Sequence, residues 1–569
     1  MQLTKNLIVI GLLATYSIQA QVLPKKNYPK NYFTWPVQAT KALAANFGEL
    51  RPNHYHMGLD CKTDQRENVP VIAAADGYIA KVKIEPFGFG RCIYINHPNG
   101  LTTLYAHLND FYPALEKYIK EQQYAQENWR IFLENIPADL FPVKKRQFIA
   151  YSGNTGGSQG PHLHFEIRDT QTDKVLNPLL FGFPVTDNIP PDILRLAVYD
   201  RCISIYEQSP KFYPLKKVNG VYTTVPALLL QNTDRVSFAI TSYDRYTGST
   251  NQNGIYQAVL YDNETPVSGF QLDSIDYNET RYLNAHIDYK LKTNGGPYVQ
   301  HLSRLPGYPP SVYTDITGDG VIHIDDDARH EIKIAVQDAD GNTSLLQFAV
   351  QRSTAKAYPP SATNTESAPK LFVPGYVNVF ENSNVGFYLP ANYLYDSVRF
   401  QYKEIPGSKS ARGYQLHTGN VPVHGYFTIH IKNNLSNPEK TVMRWWWGSK
   451  DDYKKTITEN GWSRASFRTF GNYELVTDTQ PPVITPVGFT NGMNCSKLSR
   501  LVFTIRDDTE ELVNFRAELD GQWLRFSNDK GKTFIYKFDE KCPTGKHELK
   551  LSVEDLAGNK TERIYTFTR

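Results

Sequence analysis

Five side chains in the N-terminal third of the chain have the types and spacing of a metal-dependent hydrolytic site. His56 and Asp60 are four residues apart, and His162 and His164 are separated by one residue. Residues two apart in a strand share a face, so the second pair can point into one cleft. His107 lies between the two pairs at the end of an apolar run. Three ligands with an open fourth position are the arrangement of a hydrolytic zinc ion.

Residue type alone leaves two interpretations of these histidines open. In the first, one histidine of the second pair holds a metal ion and the other acts on the metal-bound water. In the second, each histidine is an ordinary polar surface residue, because the chain contains 14 histidines in all. The elements that carry them decide which side chains can meet.

The elements around these residues have an antiparallel β pattern, since short apolar runs alternate with glycine and Asn-Gly turns. The runs cover residues 69–75, 77–84, 92–96, 102–105, 148–151 and 163–167. One stretch, 113–135, is instead rich in Glu, Lys, Gln, Ala and Leu, with apolar residues near helical spacing. We predict a helix or a helical hairpin there, inserted shortly after His107.

Length and composition limit the class of protein. A chain of 569 residues suggests three or four domains at about 150 residues each. Lys and Arg number 61 against 58 for Asp and Glu, which argues against a nucleic-acid binder that relies on bulk positive charge. Aromatic residues at 13%, with 37 Gly and 35 Pro, favour strands and turns over helical bundles.

The first 20 residues have the features of a cleavable export signal. Lys5 supplies positive charge, residues 7–16 form an apolar run and Ala20 ends a small-residue cleavage pattern. The run is too short to span a bilayer comfortably, and no later stretch is predicted to do so. We therefore expect no transmembrane segment after signal removal, and a location in the periplasm or outside the cell.

Export permits disulfide bonds. Cys61 and Cys92 fall in one region, and Cys495 and Cys542 in another, which would leave Cys202 unpaired. Five small buried thiols explain the same residues equally well, and connectivity does not follow from the sequence.

An internal repeat divides the rest of the chain. Residues 330–342 match 547–559 position by position, and each copy is an alternating strand followed by an Asp/Gly/Asn turn. That is the hairpin that closes a β-sandwich, and each copy lies downstream of a proline pair, 190–191 or 481–482. We predict Ig-like sandwiches at 188–352 and 479–569, a linker at 353–369 and a further β-rich domain at 370–478.

Three sequence blocks resemble those of the lysostaphin/LytM-type zinc metalloendopeptidases, which cut peptide bonds in peptidoglycan. The family pattern H-x-x-x-D occurs at 56–60, a Y-x-H-L block at 105–108 and H-L-H-F-E at 162–166, in the family's order. Connecting segments such as S-G-N-T-G at 152–156 also fit. The similarity covers about 47–178, and no ligand position is substituted.

The resemblance implies a role for each of the five residues. His56, Asp60 and His164 would bind one zinc ion. His162 and His107 would be the catalytic pair, one taking the proton of the attacking water and the other stabilising the oxyanion. We favour His162 as the base because a single residue separates it from the ligand His164, and the opposite assignment stays open.

Three further features are compatible with a role near a metal ion, each with an ordinary structural alternative. Glu166 shares the strand face of His164 and either orients that ligand or is a structural residue. His54 is better explained as an exposed or packed histidine. Residues 315–320 with Asp325 and Asp326 resemble a calcium loop, and an acidic hairpin turn explains them too.

For the whole chain, the resemblance implies a mainly β protein and an exported enzyme. A small antiparallel β catalytic domain at 21–187, with a helical insert at about 111–143, would precede the sandwiches. The activity implied is zinc-dependent hydrolysis of stem or cross-link peptides of peptidoglycan. Two alternatives stay open: a catalytically silent module that binds or activates a wall amidase, and an endopeptidase for non-wall proteins. The expected partners are peptidoglycan peptides and, through the sandwiches, an envelope protein, with no nucleic acid.

The insert after the Y-x-H-L block is longer than is usual in the family. We expect it to form a wall or lid of the cleft, with a passive brace between domains as the alternative. We also expect a fragment that ends near Phe183 to fold and to bind zinc without the sandwiches.

Overall fold

The computed structural model describes residues 22–309, 311–353, 370–509, 512–531 and 533–569. The predicted signal peptide lies outside these ranges, and so does the predicted linker from residue 354 onward. Strands account for 47% of the residues and helices for 7%, which confirms the prediction of a mainly β protein. Within the ranges described, no helix has the length and apolar character needed to cross a bilayer.

The strands fall into four groups along the chain, called here units one to four. We propose that these units correspond to the four domains predicted from the sequence. Unit one contains β1 Leu43–Ala45, β2 Leu50–Arg51, β3 His54–Tyr55, β4 Leu59–Lys62, β5 Pro70–Ile72, β6 Gly77–Ile84, β7 Arg91–Asn96, β8 Leu101–Ala106, β9 Leu108–Phe111, α1 Pro113–Ala125, β10 Ile131–Leu133, β11 Pro142–Val143, β12 Phe148–Ser152, β13 His162–Asp169 and β14 Val175–Leu176.

The main sheet of unit one has the strand order β1-β4-β13-β8-β7-β6-β10, and β5, β12 and β9 form a second, three-stranded sheet. β13 is central, and its apolar residues Leu163, Phe165 and Ile167 are fully buried. They alternate with His162, His164 and Glu166, because successive side chains of a strand point to opposite faces. One face of β13 therefore builds the core and the other carries the polar residues.

The insert contains one helix, followed by strands. α1 begins at Pro113, where the fixed φ of proline suits the first helical position, and it buries Leu115 and Ile119 against unit one. It ends at Ala125, and Glu127 then adopts a left-handed φ of 45°. The helical-hairpin alternative is therefore wrong, because the next element, β10 at Ile131–Leu133, is a strand that pairs antiparallel with β6.

Unit two contains two sheets, β16-β15-β19-β23 and β17-β18-β27-β26-β20-β21-β24, with β25 joined to β19. Its elements are β15 Asp192–Asp200, β16 Lys211–Tyr213, β17 Leu215–Val218, β18 Val221–Gln231, β19 Arg235–Tyr243, β20 Gln257–Asp262, β21 Thr265–Gln271, β22 Ser274–Ile275, α2 Leu283–His286, α3 Tyr289–Thr293, β23 Gln300–His301, β24 Tyr313–Asp315, β25 Ile322–His323, β26 His330–Gln337 and β27 Thr343–Arg352.

Units one and two share a sheet and a hydrophobic core. β22 of unit two pairs antiparallel with β14 and so extends the main sheet of unit one. Tyr55 and Met57, on either side of His56, belong to the same apolar cluster as Leu272 and Ile275. The first unit is therefore not closed by its own residues, which bears on whether it can fold alone.

Unit three has the sheets β29-β30-β34-β38-β37 and β32-β33-β39-β35-β36, with β28 paired to β31. Its strands are β28 Leu371–Phe372, β29 Asn378–Glu381, β30 Val385–Leu389, β31 Val398–Arg399, β32 Tyr402–Ile405, β33 Gly413–Leu416, β34 Pro422–Lys432, β35 Thr441–Trp447, β36 Lys450–Lys455, β37 Ile457–Glu459, β38 Trp462–Thr469 and β39 Gly471–Thr477.

Unit four has the sheets β40-β42-β45 and β41-β47-β46-β43-β44. Its strands are β40 Val483–Pro486, β41 Met493–Asn494, β42 Arg500–Arg506, β43 Leu512–Leu519, β44 Gln522–Trp523, β45 Thr533–Lys537, β46 Lys546–Asp555 and β47 Lys560–Thr568. The repeated hairpins predicted from the sequence are confirmed as the antiparallel pairs β26/β27 and β46/β47. All five cysteines are free thiols, and only Cys202 is exposed.

Candidate metal centre and active site

Adjacent strands of unit one bring the predicted site residues together. Because β13 lies between β4 and β8, His164 pairs with Asp60 on one side and with Ala106 on the other. His107 directly follows β8, and His162 is the first residue of β13. Residues that are up to about a hundred positions apart thus meet through strand pairing.

His56, Asp60 and His164 form a compact triangle of ligand atoms. Nε2 of His56 lies 2.9 Å from Oδ1 of Asp60 and 3.1 Å from Nδ1 of His164, and that Nδ1 is 3.0 Å from the same oxygen. The three residues are only 6–8% exposed. Two imidazole nitrogens and a carboxylate oxygen at these distances are a set of ligand atoms that could hold a metal ion.

Hydrogen bonds to the opposite ring nitrogens orient both histidines of the triangle. Nδ1 of His56 lies 2.7 Å from the carbonyl oxygen of Asn46, which leaves Nε2 for the triangle. Nε2 of His164 lies 2.9 Å from Oε1 of Glu166, which leaves Nδ1. Partners of this kind fix the tautomer and ring orientation of metal-binding histidines.

Glu166 is completely buried and is held by two further side chains. Nε of Arg168 donates to Oε2 at 2.7 Å, and the hydroxyl of Tyr277 donates to Oε1 at 2.5 Å. Burial alone would raise the pKa of Glu166, but Arg168 and His164 lower it to about 2. The orienting group is therefore a carboxylate, and one of its partners comes from unit two.

The electrostatics of the triangle favour positive charge. Burial alone would raise the pKa of Asp60, but His56 and the hydrogen bonds from the nearby histidines hold it well below its usual range. Burial alone would lower the pKa of His164, whereas its hydrogen bonds to Asp60 and Glu166 raise it to about 9. Two buried carboxylates thus create a site that a cation would satisfy.

His162 and His107 lie next to the triangle with their rings in contact. The ring centroids are 4.8 Å apart, and Nε2 of His162 is 3.4 Å from Oδ1 of Asp60. Nδ1 of His162 lies 2.8 Å from the carbonyl oxygen of Gly160, and Nδ1 of His107 lies 2.8 Å from that of Thr155. Since a carbonyl only accepts, each Nδ1 donates its proton in these contacts, and Nε2 is the ring nitrogen that remains for other partners.

The close packing of the site residues is accompanied by unusual backbone geometry at His107 and Gly58. His107 has a φ of 60°, a left-handed conformation that is uncommon outside glycine and that turns the chain between β8 and β9. Gly58, between His56 and Asp60, runs so close to β13 that a Cβ would lie 2.5 Å from the carbonyl oxygen of Phe165.

Burial lowers the pKa of His107 to about 3, so its ring is neutral near pH 7.

The remaining sequence predictions divide clearly. Glu166 is in contact with His164, whereas His54 is exposed and its Nδ1 lies 2.9 Å from the carbonyl oxygen of Pro52. Two further residues contact the site without a role predicted from the sequence: Arg51, whose guanidinium lies 3.3 Å from Oδ2 of Asp60, and Tyr277, which donates to Glu166. No spacing rule pointed to Tyr277, because it belongs to another unit.

Unit four contacts the loop that holds the two catalytic candidates. Oδ1 of Asp529 accepts from the backbone N–H of Gly156 at 2.8 Å, and Nζ of Lys530 donates to the carbonyl oxygen of Ser158 at 2.9 Å. The same loop supplies the carbonyl oxygens of Thr155 and Gly160 that orient the two rings. A sandwich more than 300 residues away thus borders the site.

α1 lies between unit one and unit four. Lys120 pairs with Asp539 at 2.7 Å, and Glu127, just beyond the helix, pairs with Arg516 at 2.6 Å. Tyr124 packs edge-on against Trp523, with ring centroids 5.2 Å apart. The insert therefore bridges two units, and its apolar and charged faces both have partners.

The chain shares sequence with known peptidases in this region. The family "Peptidase family M23" matches residues 54–126, and "Zu5-like domain" matches residues 370–478. An uncharacterized metalloprotease of Haemophilus influenzae is 31% identical over 168 residues, which are 28% of this chain and 29% of that protein. The DD-carboxypeptidase/endopeptidase Mpg of Neisseria meningitidis is 33% identical over 142 residues, 25% of this chain and 26% of that protein.

Among solved structures, the catalytic domain of the antimicrobial peptidase lysostaphin from Staphylococcus simulans matches with 22% identity and a TM-score of 0.18, covering 24% of this chain and 87% of that one. The His/Asp/His cluster lies in the same unit as the sequence match to the peptidases. Unit one thus contains a segment, residues 54–126, that matches peptidase family M23. The chain spans less than a third of the length of the two curated relatives.

Proposed function

We propose that this protein is an exported zinc-dependent endopeptidase that hydrolyses stem or cross-link peptides of peptidoglycan. The observation that carries the proposal is the buried triangle of His56, Asp60 and His164 beside two further histidines, inside a unit with a segment that matches family M23. Relatives named metalloprotease and DD-carboxypeptidase/endopeptidase support the substrate class.

The donor set fits zinc. Two neutral imidazole nitrogens with one carboxylate oxygen are among the ligand combinations of catalytic zinc sites, and the surplus negative charge of Asp60 and Glu166 suits a dication. When bound, the ion supplies a Lewis acid and lowers the pKa of its water ligand. His56, Asp60 and His164 hold the ion in this proposal, and Glu166 and Asn46 hold the two imidazoles in place.

The two remaining histidines handle protons. Nε2 of His162 is the acceptor nitrogen of a neutral ring, so it can take the proton of the attacking water and pass it to the leaving amine. His107 then stabilises the negative charge that develops on the scissile carbonyl oxygen. Both rings are held through Nδ1 to a backbone carbonyl, so their orientation does not distinguish the two roles. The alternative to be tested is therefore His107 as the base and His162 as the group that stabilises the oxyanion.

The experiment compares purified full chain and variants for zinc content and for release of muropeptides from peptidoglycan sacculi, identified by mass spectrometry. His164→Ala should lose zinc and activity together, because three ligands become two. His162→Ala should retain zinc and lose about 10²- to 10⁴-fold in turnover. His54→Ala is the control, since His54 is an exposed histidine close to the site in sequence.

Three outcomes would contradict the proposal. Zinc loss on His162→Ala together with zinc retention on His164→Ala would reverse the assignment of ligand and base. A zinc-loaded protein that releases nothing from sacculi but stimulates a wall amidase would support the silent module instead. Cleavage of non-wall proteins with intact sacculi would support the second alternative.

A further inference from the structure

Units two and four each gather three aspartates at the same place in their fold. In unit two these are Asp187, Asp244 and Asp338, whose ligand atoms lie within 4.8 Å of one another. In unit four, Asp478 and Asp507 converge in the same way, together with Asp508.

The two clusters share two equivalent sequence positions, and a third aspartate is matched between the repeats. Asp187 and Asp478 each stand three residues before a proline pair, 190–191 and 481–482. Asp244 and Asp507 each follow directly after a strand, β19 and β42. Asp338 and Asp555 are matched residues of the repeated hairpin. The similarity between the repeats therefore extends to these three acidic positions, although the third residue that converges in unit four is Asp508 and not Asp555.

The hydrogen bonds around the clusters are also equivalent. Nδ2 of Asn342 donates to the carbonyl oxygen of Asp187 at 3.3 Å and to Oδ2 of Asp338 at 2.7 Å. In unit four, Nδ2 of Asn559 donates to the carbonyl oxygen of Asp478 at 3.1 Å and to Oδ2 of Asp555 at 2.8 Å. In each repeat, one asparagine thus donates both to the aspartate before the proline pair and to the aspartate of the repeated hairpin.

Several carboxylate oxygens of the clusters are buried without a partner. Asp244 is 1% exposed, and its Oδ1 accepts no hydrogen bond. Oδ2 of Asp187 and Oδ2 of Asp478, in residues that are 7% and 4% exposed, are in the same position. Buried polar atoms normally have a partner, so each of these oxygens points to a missing ligand.

The described residues around the unit two cluster form no ion pair with its carboxylates. Among the described residues, the ion pairs found within 4.0 Å include none with Asp187, Asp244 or Asp338. Lys25 and Lys30 act on the neighbouring Asp340, where they oppose the rise in its pKa. Burial first, and then the charges of Asp187 and Asp338, raise the pKa of Asp244 to about 8.

The acidic segment predicted from the sequence as a possible calcium loop is different. Asp315 is bound by the guanidinium of Arg304, whose Nε lies 3.0 Å from Oδ1. This carboxylate therefore has its counter-charge within the chain, whereas the described residues form no ion pair with the unit two cluster.

We propose that each of the two repeats binds one divalent cation of the Ca²⁺ class through the three aspartates that converge there, which are Asp187, Asp244 and Asp338 in unit two and Asp478, Asp507 and Asp508 in unit four. Ca²⁺ takes six to eight oxygen ligands, and carboxylates, amide carbonyls and waters all serve. The three carboxylates of each cluster are hard oxygen donors, and no nitrogen or sulfur ligand belongs to the groups found there. This chemistry is distinct from that of the His/Asp/His triangle.

Both sites stand at the junction between consecutive units. Asp187 lies between the last strand of unit one, β14, and the first strand of unit two, β15. Asp478 directly follows β39, the last strand of unit three. Lys440 of unit three also donates to the carbonyl oxygen of Gly558, in the turn beside Asp555, at 3.0 Å. A bound cation would therefore hold each sandwich against the unit that precedes it.

The test uses the zinc-loaded full chain, freed of calcium on a chelating resin and rechecked for zinc. Titration with CaCl₂ by calorimetry should show two sites. Asp244→Asn should remove the first and Asp507→Asn the second, each weakening Ca²⁺ binding at its own site by at least about 10-fold. Asp325→Asn is the matched control, an exposed aspartate in the same unit as Asp244 that should leave both sites intact.

Thermal unfolding gives a second measurement, which distinguishes aspartates that bind a cation from aspartates that only stabilise the fold. Without calcium, each Asp→Asn variant should be at least as stable as the parent, because it removes one of three acidic groups that lie close together. Calcium should then raise the melting temperature of the parent more than that of either variant. The proposal would be overturned by a parent that binds no Ca²⁺ or binds Mg²⁺ with equal affinity. It would also be overturned if Asp325→Asn abolished binding, or if the Asp244→Asn and Asp507→Asn variants were destabilised in calcium-free buffer.

Discussion

The hydroxyl of Tyr277, on unit two, donates a 2.5 Å hydrogen bond to Oε1 of Glu166, the carboxylate oxygen that also contacts His164. Arg168 stacks its guanidinium over the Tyr277 ring at 4.7 Å while it holds the other oxygen of Glu166. A residue of the sandwich thus positions a metal-ligand candidate of the peptidase unit.

Tyr277→Phe should lower zinc affinity by about 10-fold or more while leaving the fold intact, because partners of ligand-orienting groups typically contribute at this scale. Competition with a chromophoric chelator measures the affinity. Tyr376→Phe, at a tyrosine that is 70% exposed, is the control. Equal affinities for the parent and Tyr277→Phe would show that Glu166 needs no help from unit two.

Separating unit four from the insert should increase turnover. All five site side chains are largely covered, and unit four borders the loop beside His107 and His162. Lys120→Glu combined with Arg516→Glu replaces the ion pairs between α1 and unit four by repulsion, and each lost pair is worth at most about 1 kcal/mol. We expect several-fold faster cleavage of soluble peptides with unchanged zinc content.

The matched control for that interface is Lys117→Glu, since Lys117 lies on the same helix with its side chain 80% exposed. Unchanged kinetics in the double variant, with the interface shown to be open by limited proteolysis, would identify the insert as a passive brace.

The shared core changes the expectation for fragments. A chain of residues 22–183 lacks β22, Tyr277 and the apolar partners of Tyr55 and Met57, so we now expect it to be aggregation-prone and to bind zinc weakly. A chain of residues 22–478 retains all of them together with the unit three part of the same apolar cluster, and it should be monomeric, with a cooperative unfolding transition. Circular dichroism melts and zinc content of the two fragments decide this, and a stable zinc-binding 22–183 would restore the simpler boundary.

Two buried histidines of unit two should make the protein sensitive to acid. Burial lowers the pKa of His301 to about 3 and that of His286 to about 4, so both are neutral in the folded state. The folded pKa is below the unfolded value of about 6.5, so their stabilisation is present above pH 6.5 and is lost as the pH falls. Each contributes a loss of about 2 kcal/mol by pH 5.

His301→Phe should flatten this dependence, because the ring stays apolar and its two nitrogens have no hydrogen-bond partner to lose. Urea unfolding at pH 7 and pH 5 measures the difference, and His323→Phe, at an exposed histidine of the same unit, is the control. A parent that is equally stable at both pH values would contradict the assignment.

The sequence by itself determined the local features of this protein. The alternation in the H-L-H-F-E block predicted that His162, His164 and Glu166 share one strand face, because residues two apart in a strand point to the same side. The repeated hairpins followed in the same way from their alternation and their Asp/Gly/Asn turns. Each of these features depends on residues that are close in the chain, where periodicity carries the information.

Only the tertiary structure decided which distant groups meet. Tyr277 reaches Glu166 because β22 extends the sheet of unit one, and Asp529 reaches Gly156 because unit four docks on the insert. The aspartates of each acidic cluster come from segments whose proximity depends on how a sandwich closes. Contacts of this kind depend on the packing of whole units, for which no local period in the sequence exists.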